Sequence, residues 1–523
     1  RLSSNQSTPG QFFIIWRATT ITTSSSIRIM SLFVGQRIVR EKWFHYPRLS
    51  KSLRNNNCSG LLGTKNDFHI SSSFWYSSTV RSSKESTQQQ RRQQKCYQHL
   101  PQIIPTKGVP IHLYADEIEP QAMAQVKLLA ESPIPVDYVA VMPDAHLGKG
   151  VTIGTVFASE KYICPNAVGV DIGCGMAAVP LHGLHKHQIS NAQKVEIFEK
   201  LKERIPTGFA KHNRTLPETK EVLEEITEEM PPTDYVMEQL HLSRVTDQLG
   251  TLGGGNHFLE VVHDDKDDQI WSLLHSGSRN IGNRVAQHYD NIAKNLLQSQ
   301  GVDTRKLNSI HYMPIESQEG QDYLRDMEWC QRYAFQNRRA MQRIMLEILA
   351  EVTHSEADTD RAVNIHHNYC QCEECGNGRK LYITRKGATS AAAGQMGIIP
   401  GSMGSGSYIT RGRGELSSWN SSSHGAGRRM SRVKAHANIP QEEFEHAMEG
   451  VVCDTHPSVR DEAPQAYKDL FIVMEQQQSL TDIVHRLLPL INVKGFEEKL
   501  PKKYRKKKEQ QSRRRRKDGR SFN

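Results

Sequence analysis

The sequence has no apolar run near the ~18 residues that a helical membrane span needs, although 37% of its 523 residues are hydrophobic. A soluble chain of one or two large domains, with no membrane partner, is the expectation. The common nucleotide motifs are missing too. No Gly-x-x-x-x-Gly-Lys-Ser/Thr loop occurs, Gly253-Gly254-Gly255-Asn256 does not fit the dinucleotide fingerprint, and no Lys-x-Asp-Gly supplies the lysine that ATP-dependent ligases nucleotidylate. If a nucleotidyl group is carried covalently, histidine is then the better nucleophile, because neutral imidazole is available at pH 7. Nor is there a disulfide framework: the nine cysteines are odd in number and scattered, which suits free or metal-bound thiols.

Acidic residues are scarce at both ends. Residues 1–95 carry 15 Lys/Arg against 3 Asp/Glu and residues 502–523 carry 12 against 2, whereas residues 96–501 carry 40 against 52. The formal charge of +10 therefore belongs to the ends, and any polyanion surface on the body must be a local patch. Residues 1–95, rich in Ser, Thr, Arg and Gln, cannot bury a core and read as a disordered or targeting extension. The chain does not begin with Met; Met30 reads as an alternative start, and Arg37, Arg40, Lys42, Arg48, Lys51 and Arg54 after it suit a mitochondrial or plastid leader. The tail 502–523 suits an RNA-binding arm or a nuclear address, so nucleus or cytoplasm competes with an organelle.

What the body does have is a site-building stretch, Val168-Gly169-Val170-Asp171-Ile172-Gly173-Cys174-Gly175-Met176. Its glycines bare the backbone around a carboxylate and a thiol that could share one cation, and a thiolate sulfur can bridge two. Pro120 opens a helix with Met123, Val126, Leu129 and Ala130 on its apolar face, and Tyr138–Met142 is a buried strand that delivers Asp144 and His146 at its end. Charged helices follow near 189–204, with Val195, Phe198 and Leu201 on one face, near 217–229 and near 234–248. Residues 257–262 and 270–275 read as a hairpin centred on Lys266, which sets His257 opposite His275. Long core helices are expected near 280–299 and 319–352. Two Gly/Ser-rich loops, 399–407 and 421–428, offer backbone N–H groups to phosphate, the second running into a helix over 428–435. Ser479-Leu480-Thr481-Asp482 reads as the capped start of a last helix. Cys370, Cys372 and Cys375 have a spacing that would suit zinc if a fourth ligand lies nearby.

Asp171, Cys174, His257, His275 and His367 are candidate ligands for one or two divalent metals with Cys174 as the bridge, and His424 stands in an exposed, glycine-flanked position. Sulfur softness favours zinc or iron over manganese, and phosphate chemistry is the expected use.

These residues stand in blocks: 168–176, Leu249 to Phe258, Leu274 to Arg279, His367-Asn368-Tyr369, Pro400 to Gly404, His424-Gly425-Ala426-Gly427-Arg428 and Val493-Lys494-Gly495. Together they resemble the RtcB family of RNA ligases over about residues 105–496. The resemblance implies an α+β catalytic domain spanning 96–501, with layered mixed β-sheets at the centre and helices outside. It implies GTP- and Mn(II)-dependent joining of an RNA 3′-phosphate or 2′,3′-cyclic phosphate to a 5′-hydroxyl, in tRNA splicing or RNA repair. By similarity Asp171, Cys174 and His257 would hold one manganese, and Cys174, His275 and His367 the second. His424 would form a histidine-GMP intermediate, with Asp144 orienting its ring. Asn256, His257, Phe258, Leu259, Glu260, His367, Asn368, Pro400, Gly401, Ser402, Met403, Ser407, Gly425, Ala426, Gly427 and Lys494 would line the GTP site, with Glu260 accepting from guanine and Lys494 donating to O6. An archease-like activator is implied as a partner. The alternatives are a metal-dependent RNA phosphoesterase or nuclease using water, and a silent RNA-binding scaffold.

Overall fold

The computed structural model describes residues 97–242, 245–375 and 378–495. The expected leader within 1–95 and the polybasic tail 502–523 lie outside the described residues. Two mixed β-sheets form the centre and helices lie outside them, which is the α+β architecture expected. No described helix is long and apolar enough to cross a membrane.

The first sheet has six strands, in the order Gln102–Ile104, Ile111–Leu113, Val136–His146, Ile153–Ser159, Arg379–Lys386 and Asn368–Cys375. Only Ile111–Leu113 and Val136–His146 pair in parallel. On one face Leu113, Val139, Val141 and Phe157 pack with Val126 and Leu129 of the helix Pro120–Ala130. Pro120 stands in that helix's first turn, where its missing N–H costs nothing. On the other face Ala140, Met142, Val156 and Ile383 pack with Trp419.

The second sheet has nine strands. Glu356–Ala357 and Val363–His366 share one edge of Gly175–His185, followed by Gln269–Ser276, Phe258–Asp264, Thr481–Lys494, Ser407–Gly412 and Met396–Pro400, with Val452–Cys453 on Thr481–Lys494. Leu259, Val261, Ile270 and Leu274 meet Met341, Ile344, Met345 and Ile348 of the long helix Gln318–Thr353. Each such side chain, fully buried, contributes roughly 1.5–3 kcal/mol. The opposite face curls on itself: Val363 and Ile398, from the sheet's two ends, share a cluster with Phe258, Trp271 and Leu273. His367 is the single residue between Val363–His366 of this sheet and Asn368–Cys375 of the other. The functional residues collect at that junction.

Several local expectations are corrected. The hairpin pairs Phe258, not His257, with His275. Its turn holds four residues, 265–268, rather than an odd number centred on Lys266; Asp268 adopts φ 59 and donates its N–H to Asp264 O. Asp tolerates that left-handed conformation, and it shifts the register by one. Residues 481–494 form a strand, not a capped helix. Pro489 would break a helix but sits at a register irregularity of this strand. In the helix Asn191–Arg204, Ile197, Phe198 and Leu201 are buried while Val195 faces solvent, because Ile197 and Leu201 one turn apart set the stripe. The helix near 234–248 stops at Leu242 and a 3₁₀ turn covers Val245–Gln248. After the second Gly/Ser loop the helix starts at Arg432, where the Ser431 hydroxyl caps Lys434 N–H. Cys370, Cys372 and Cys375 share one strand, so alternation sends Cys375 to the opposite face. Cys370 packs among Tyr323 and Met327 and Cys375 beside Leu381, and they do not converge as a zinc site.

Candidate active site

The loop 169–174 leaves the short helix Pro165–Val168 and enters the strand Gly175–His185. Cys174 N–H donates to Asp171 O (3.1 Å), closing a turn between the two side chains. From the long helix the buried Arg338 guanidinium donates to Gly173 O (2.8 Å) and Ser276 O (3.0 Å), tying this loop to the hairpin. A Cβ on Gly277 would lie 2.2 Å from Asp171 Oδ1, so glycine there gives the carboxylate its place.

The five expected ligands come together. Cys174 Sγ lies 3.4 Å from His257 Nε2 and 3.2 Å from His275 Nε2. Asp171 Oδ2 is 2.9 Å from His257 Nε2, and His367 Nε2 is 3.2 Å from His275 Nε2. They form two groups, Asp171/Cys174/His257 and Cys174/His275/His367, each with its ligand atoms within 4.8 Å of one another and the sulfur common to both. Backbone carbonyls set the tautomers: His257 Nδ1–H donates to Leu252 O (2.9 Å) and His275 Nδ1–H to Asn256 O (3.2 Å). Both Nε2 lone pairs are thereby aimed at the sulfur, an arrangement typical of metal-binding histidines.

The electrostatics suit a bound cation. Burial, reinforced by the Asp171 carboxylate, pushes the Cys174 thiol well up. Burial pushes His275 and His367 well down, with neighbouring histidines adding to it. Desolvation works against the Asp171 carboxylate, but His257 holds it below its ordinary value. The thiol therefore keeps its proton, and the His275 and His367 rings stay neutral lone-pair donors. A divalent cation would displace that proton, and the S, N and O donors match one or two such ions.

Asp144 comes from the six-stranded sheet, and His424 follows a strand of a separate two-stranded sheet formed by Ala388–Ser390 and Ser421–Ser423. Asp144 lies near the end of Val136–His146, and His424 directly follows Ser421–Ser423. His424 Nδ1 lies 2.6 Å from Asp144 Oδ2, an ion-pair contact whose angle lies outside hydrogen-bond geometry. The same oxygen accepts the His424 and Gly425 backbone N–H groups (3.1 and 3.2 Å). Burial alone would raise the Asp144 carboxyl, but the His424, His146 and Lys468 charges carry it below its usual value. A Cβ on Gly427, at φ 73, would strike Asp144 O at 2.0 Å. The His424 and His367 ring centroids are 4.9 Å apart, so this pair adjoins the ligand cluster.

Sheet register builds the rest of the wall. Lys494 pairs with Phe258 and Phe258 with His275, while Asn492 pairs with Glu260, so alternation puts all five on one face. Asn492 Nδ2 donates to Glu260 Oε1 (2.6 Å), and Lys494 Nζ lies 5.5 Å from the Phe258 ring centre. Burial, only partly offset by Asn492 and Lys494, raises Glu260 to about 7. Phe258, Glu260, Lys494, Asn256, Asn368, Pro400, Gly401, Ser402, Met403, Ser407 and His424 to Gly427 line one cavity of about 710 Å³ with Asp171, Cys174, His275 and His367.

Leu259 stands apart, its side chain packed beneath the sheet with Met341. The loop N–H groups are also less available than expected. Those of Gly401, Ser402, His424, Gly425 and Ala426 already donate to Gly406 O, Ser405 Oγ, Asp144 Oδ2 and Pro400 O.

Glu462 escaped the sequence reading. It is buried, bonded to Lys494 (2.6 Å), Arg428 (3.0 Å), Arg432 (2.6 Å) and Tyr467 (2.6 Å). Burial opposes its charge, but Lys494 and Arg432 hold it down to about 2. One acid in a body of 52 carries no local signal. Asn492 could have been found by reading 481–494 with a period of two.

Fold and site together define a mixed-sheet protein with two candidate metal-binding groups that share one sulfur, beside a histidine–carboxylate pair. The family model described as tRNA-splicing ligase RtcB matches residues 125–495. An RNA-splicing ligase RtcB1 of Escherichia coli is 36% identical over 417 residues, covering 75% of this chain and 99% of the relative. A tRNA-splicing ligase RtcB of Aeropyrum pernix is 31% identical over 467 residues, covering 75% and 96%. An RNA-splicing ligase RtcB homolog 2 of Entamoeba dispar is 32% identical over 425 residues, covering 68% and 80%. The chain belongs to the RtcB family.

Proposed function

We propose that this protein is an RNA ligase that joins RNA 3′-phosphate or 2′,3′-cyclic phosphate ends to 5′-hydroxyl ends, with GTP as cosubstrate and two manganese ions. The observation that carries this reading is the position of His424, paired with Asp144 and 4.9 Å from the ring of the ligand His367 in one cavity. A histidine oriented by its own carboxylate beside the ligand cluster is what a covalent nucleotidyl carrier needs, and labelling separates that role from the general acid of a hydrolase.

Cys174 would serve both ions, with Asp171 and His257 completing one set and His275 and His367 the other. Divalent ions there would neutralise charge on attacking and leaving phosphate oxygens. With Nδ1 beside Asp144, Nε2 of His424 is the nitrogen left to attack the α-phosphorus of GTP. An N–P bond forms, the bond to pyrophosphate breaks, and the Asp144 carboxylate stabilises the ring's positive charge. An oxygen of the RNA 3′-phosphate then takes the GMP and frees His424. The 5′-hydroxyl oxygen finally attacks the activated 3′-phosphorus and expels GMP; a cyclic end must first be opened by water. Glu260, when ionised, accepts from guanine N1 and N2, and Phe258 offers a wall for the base. Adenine would leave these groups unpaired, at about 1–3 kcal/mol each. Lys494 reaches guanine O6 only with N–H positions not spent on Glu462. An archease-like activator belongs to this reading, checked by whether such a protein raises multiple-turnover ligation.

Incubation with α-labelled GTP and Mn(II) tests the proposal. An acid-labile label lost in His424→Ala supports it, and RNA cleavage without any label points to the phosphoesterase instead.

A further inference from the structure

A second hollow, a groove of about 1440 Å³, adjoins the cavity, and Arg432, Glu462 and Lys494 line both. Six Lys and Arg side chains line it against two carboxylates, Asp461 and Glu462, both buried and paired with Arg432. In a body whose average charge is acidic, this is the local basic patch that a polyanion requires.

At its edge stands Phe209, 82% exposed. Its turn is held on both sides. Gly208 N–H donates to Gly253 O (2.8 Å), Leu252 N–H to Pro206 O (2.9 Å), Ala210 N–H to Thr207 O (3.0 Å), and Arg279 Nη2 reaches Gly208 O (3.4 Å). A large aromatic ring is thus presented to water by a backbone tied to the segment that leads into His257. Val433, 80% exposed on the helix Arg432–Asn438, adds another apolar side chain to the same groove. Among the described residues, Phe209 belongs to none of the buried hydrophobic clusters. Cations along a groove beside an aromatic face suit single-stranded nucleic acid, whose phosphates track the charge while bases stack on the ring.

We propose that Phe209 is a stacking platform for single-stranded RNA entering the active cavity, with Arg284 and Lys211 meeting the phosphates of the same segment. The inference rests on the RNA-ligase reading, and its test separates the two. Binding of a fluorescent single-stranded oligoribonucleotide to the full-length protein is measured by anisotropy over a salt series, and GMP labelling from GTP is measured in parallel. Phe209→Ala is expected to weaken RNA binding about ten-fold with an unchanged salt slope, Phe209→Trp to restore it, and GMP labelling to stay at the wild-type level. Arg284→Ala is expected to lower the salt slope by about 0.7, the value for one phosphate on a single strand. RNA affinity unchanged in Phe209→Ala overturns the proposal and leaves Phe209 to a protein partner. A loss that Phe209→Trp does not rescue, or that accompanies loss of GMP labelling, overturns it as general damage. Failure of the wild-type protein to label with GTP sinks the ligase mechanism while leaving the RNA-binding comparison readable.

Discussion

The two ends of the cavity solve the problem of buried charge in opposite ways. At the sulfur end, Cys174, His257, His275 and His367 point at one another, with outward nitrogens of two rings tied to carbonyls. At the other end Glu462 is answered by Lys494, Arg428 and Arg432, and Glu260 by Asn492. The first end is a cluster of donor atoms around one sulfur, whereas at the second each buried carboxylate meets donors from the protein itself, with cations in excess. On the proposed reading the first end takes up cations, and the second holds a fixed shape that discriminates the base.

The comparison can be broken at its centre, where His424 lies. His424→Ala should abolish GMP labelling and lower ligation by about four orders of magnitude or more, read by gel assay of defined RNA ends. Asp144→Asn keeps the shape and removes the charge, and should slow labelling by roughly 10²–10⁴-fold without a comparable change in GTP affinity. On the sulfur end, Cys174→Ala removes the one ligand common to both sets. Bound manganese measured by atomic emission should fall from two per chain towards none, and manganese should no longer raise the melting temperature, a rise worth about 2.7 kcal/mol in wild type at a hundred-fold excess over Kd. On the paired end Glu462→Gln leaves buried cations unanswered and should cost about 3–5 kcal/mol in a denaturant titration, whether or not metal is present. A Glu462→Gln/Lys494→Met double variant should lose less than the sum of the single losses.

The smallest effect is a pH dependence. Glu260 must be ionised to accept from guanine, and its value of about 7 lies above the ordinary range because of burial. The carboxylate form dominates above that value and is lost as pH falls through it. Apparent GTP affinity should fall roughly ten-fold between pH 8 and pH 6, and Glu260→Gln should flatten the profile.

Much of this was legible in one dimension. The motif blocks carried all five candidate ligands and His424, a strand end supplied Asp144, and apolar spacing located the helices 279–299 and 318–353 within a residue or two. Failures cluster where pairing, not local pattern, decides. Thr481–Lys494 has a plausible cap at its start, yet the strands at 258–264 and 407–412 both need a partner there. Reading it as a helix would set Asn492 and Lys494 on different sides, and so hid that they flank the same wall.

Composition and order alone therefore determined which groups are available: a thiol among glycines, imidazoles in motif blocks, basic ends on an acidic body. Tertiary structure decided which of them meet. A sheet that curls on itself and a one-residue link between two sheets bring positions 171, 174, 275, 367 and 424 to one hollow, with 257 against 171 and 174. Register shifts of a single residue choose the face each side chain takes, and no window of sequence contains the partner that sets them.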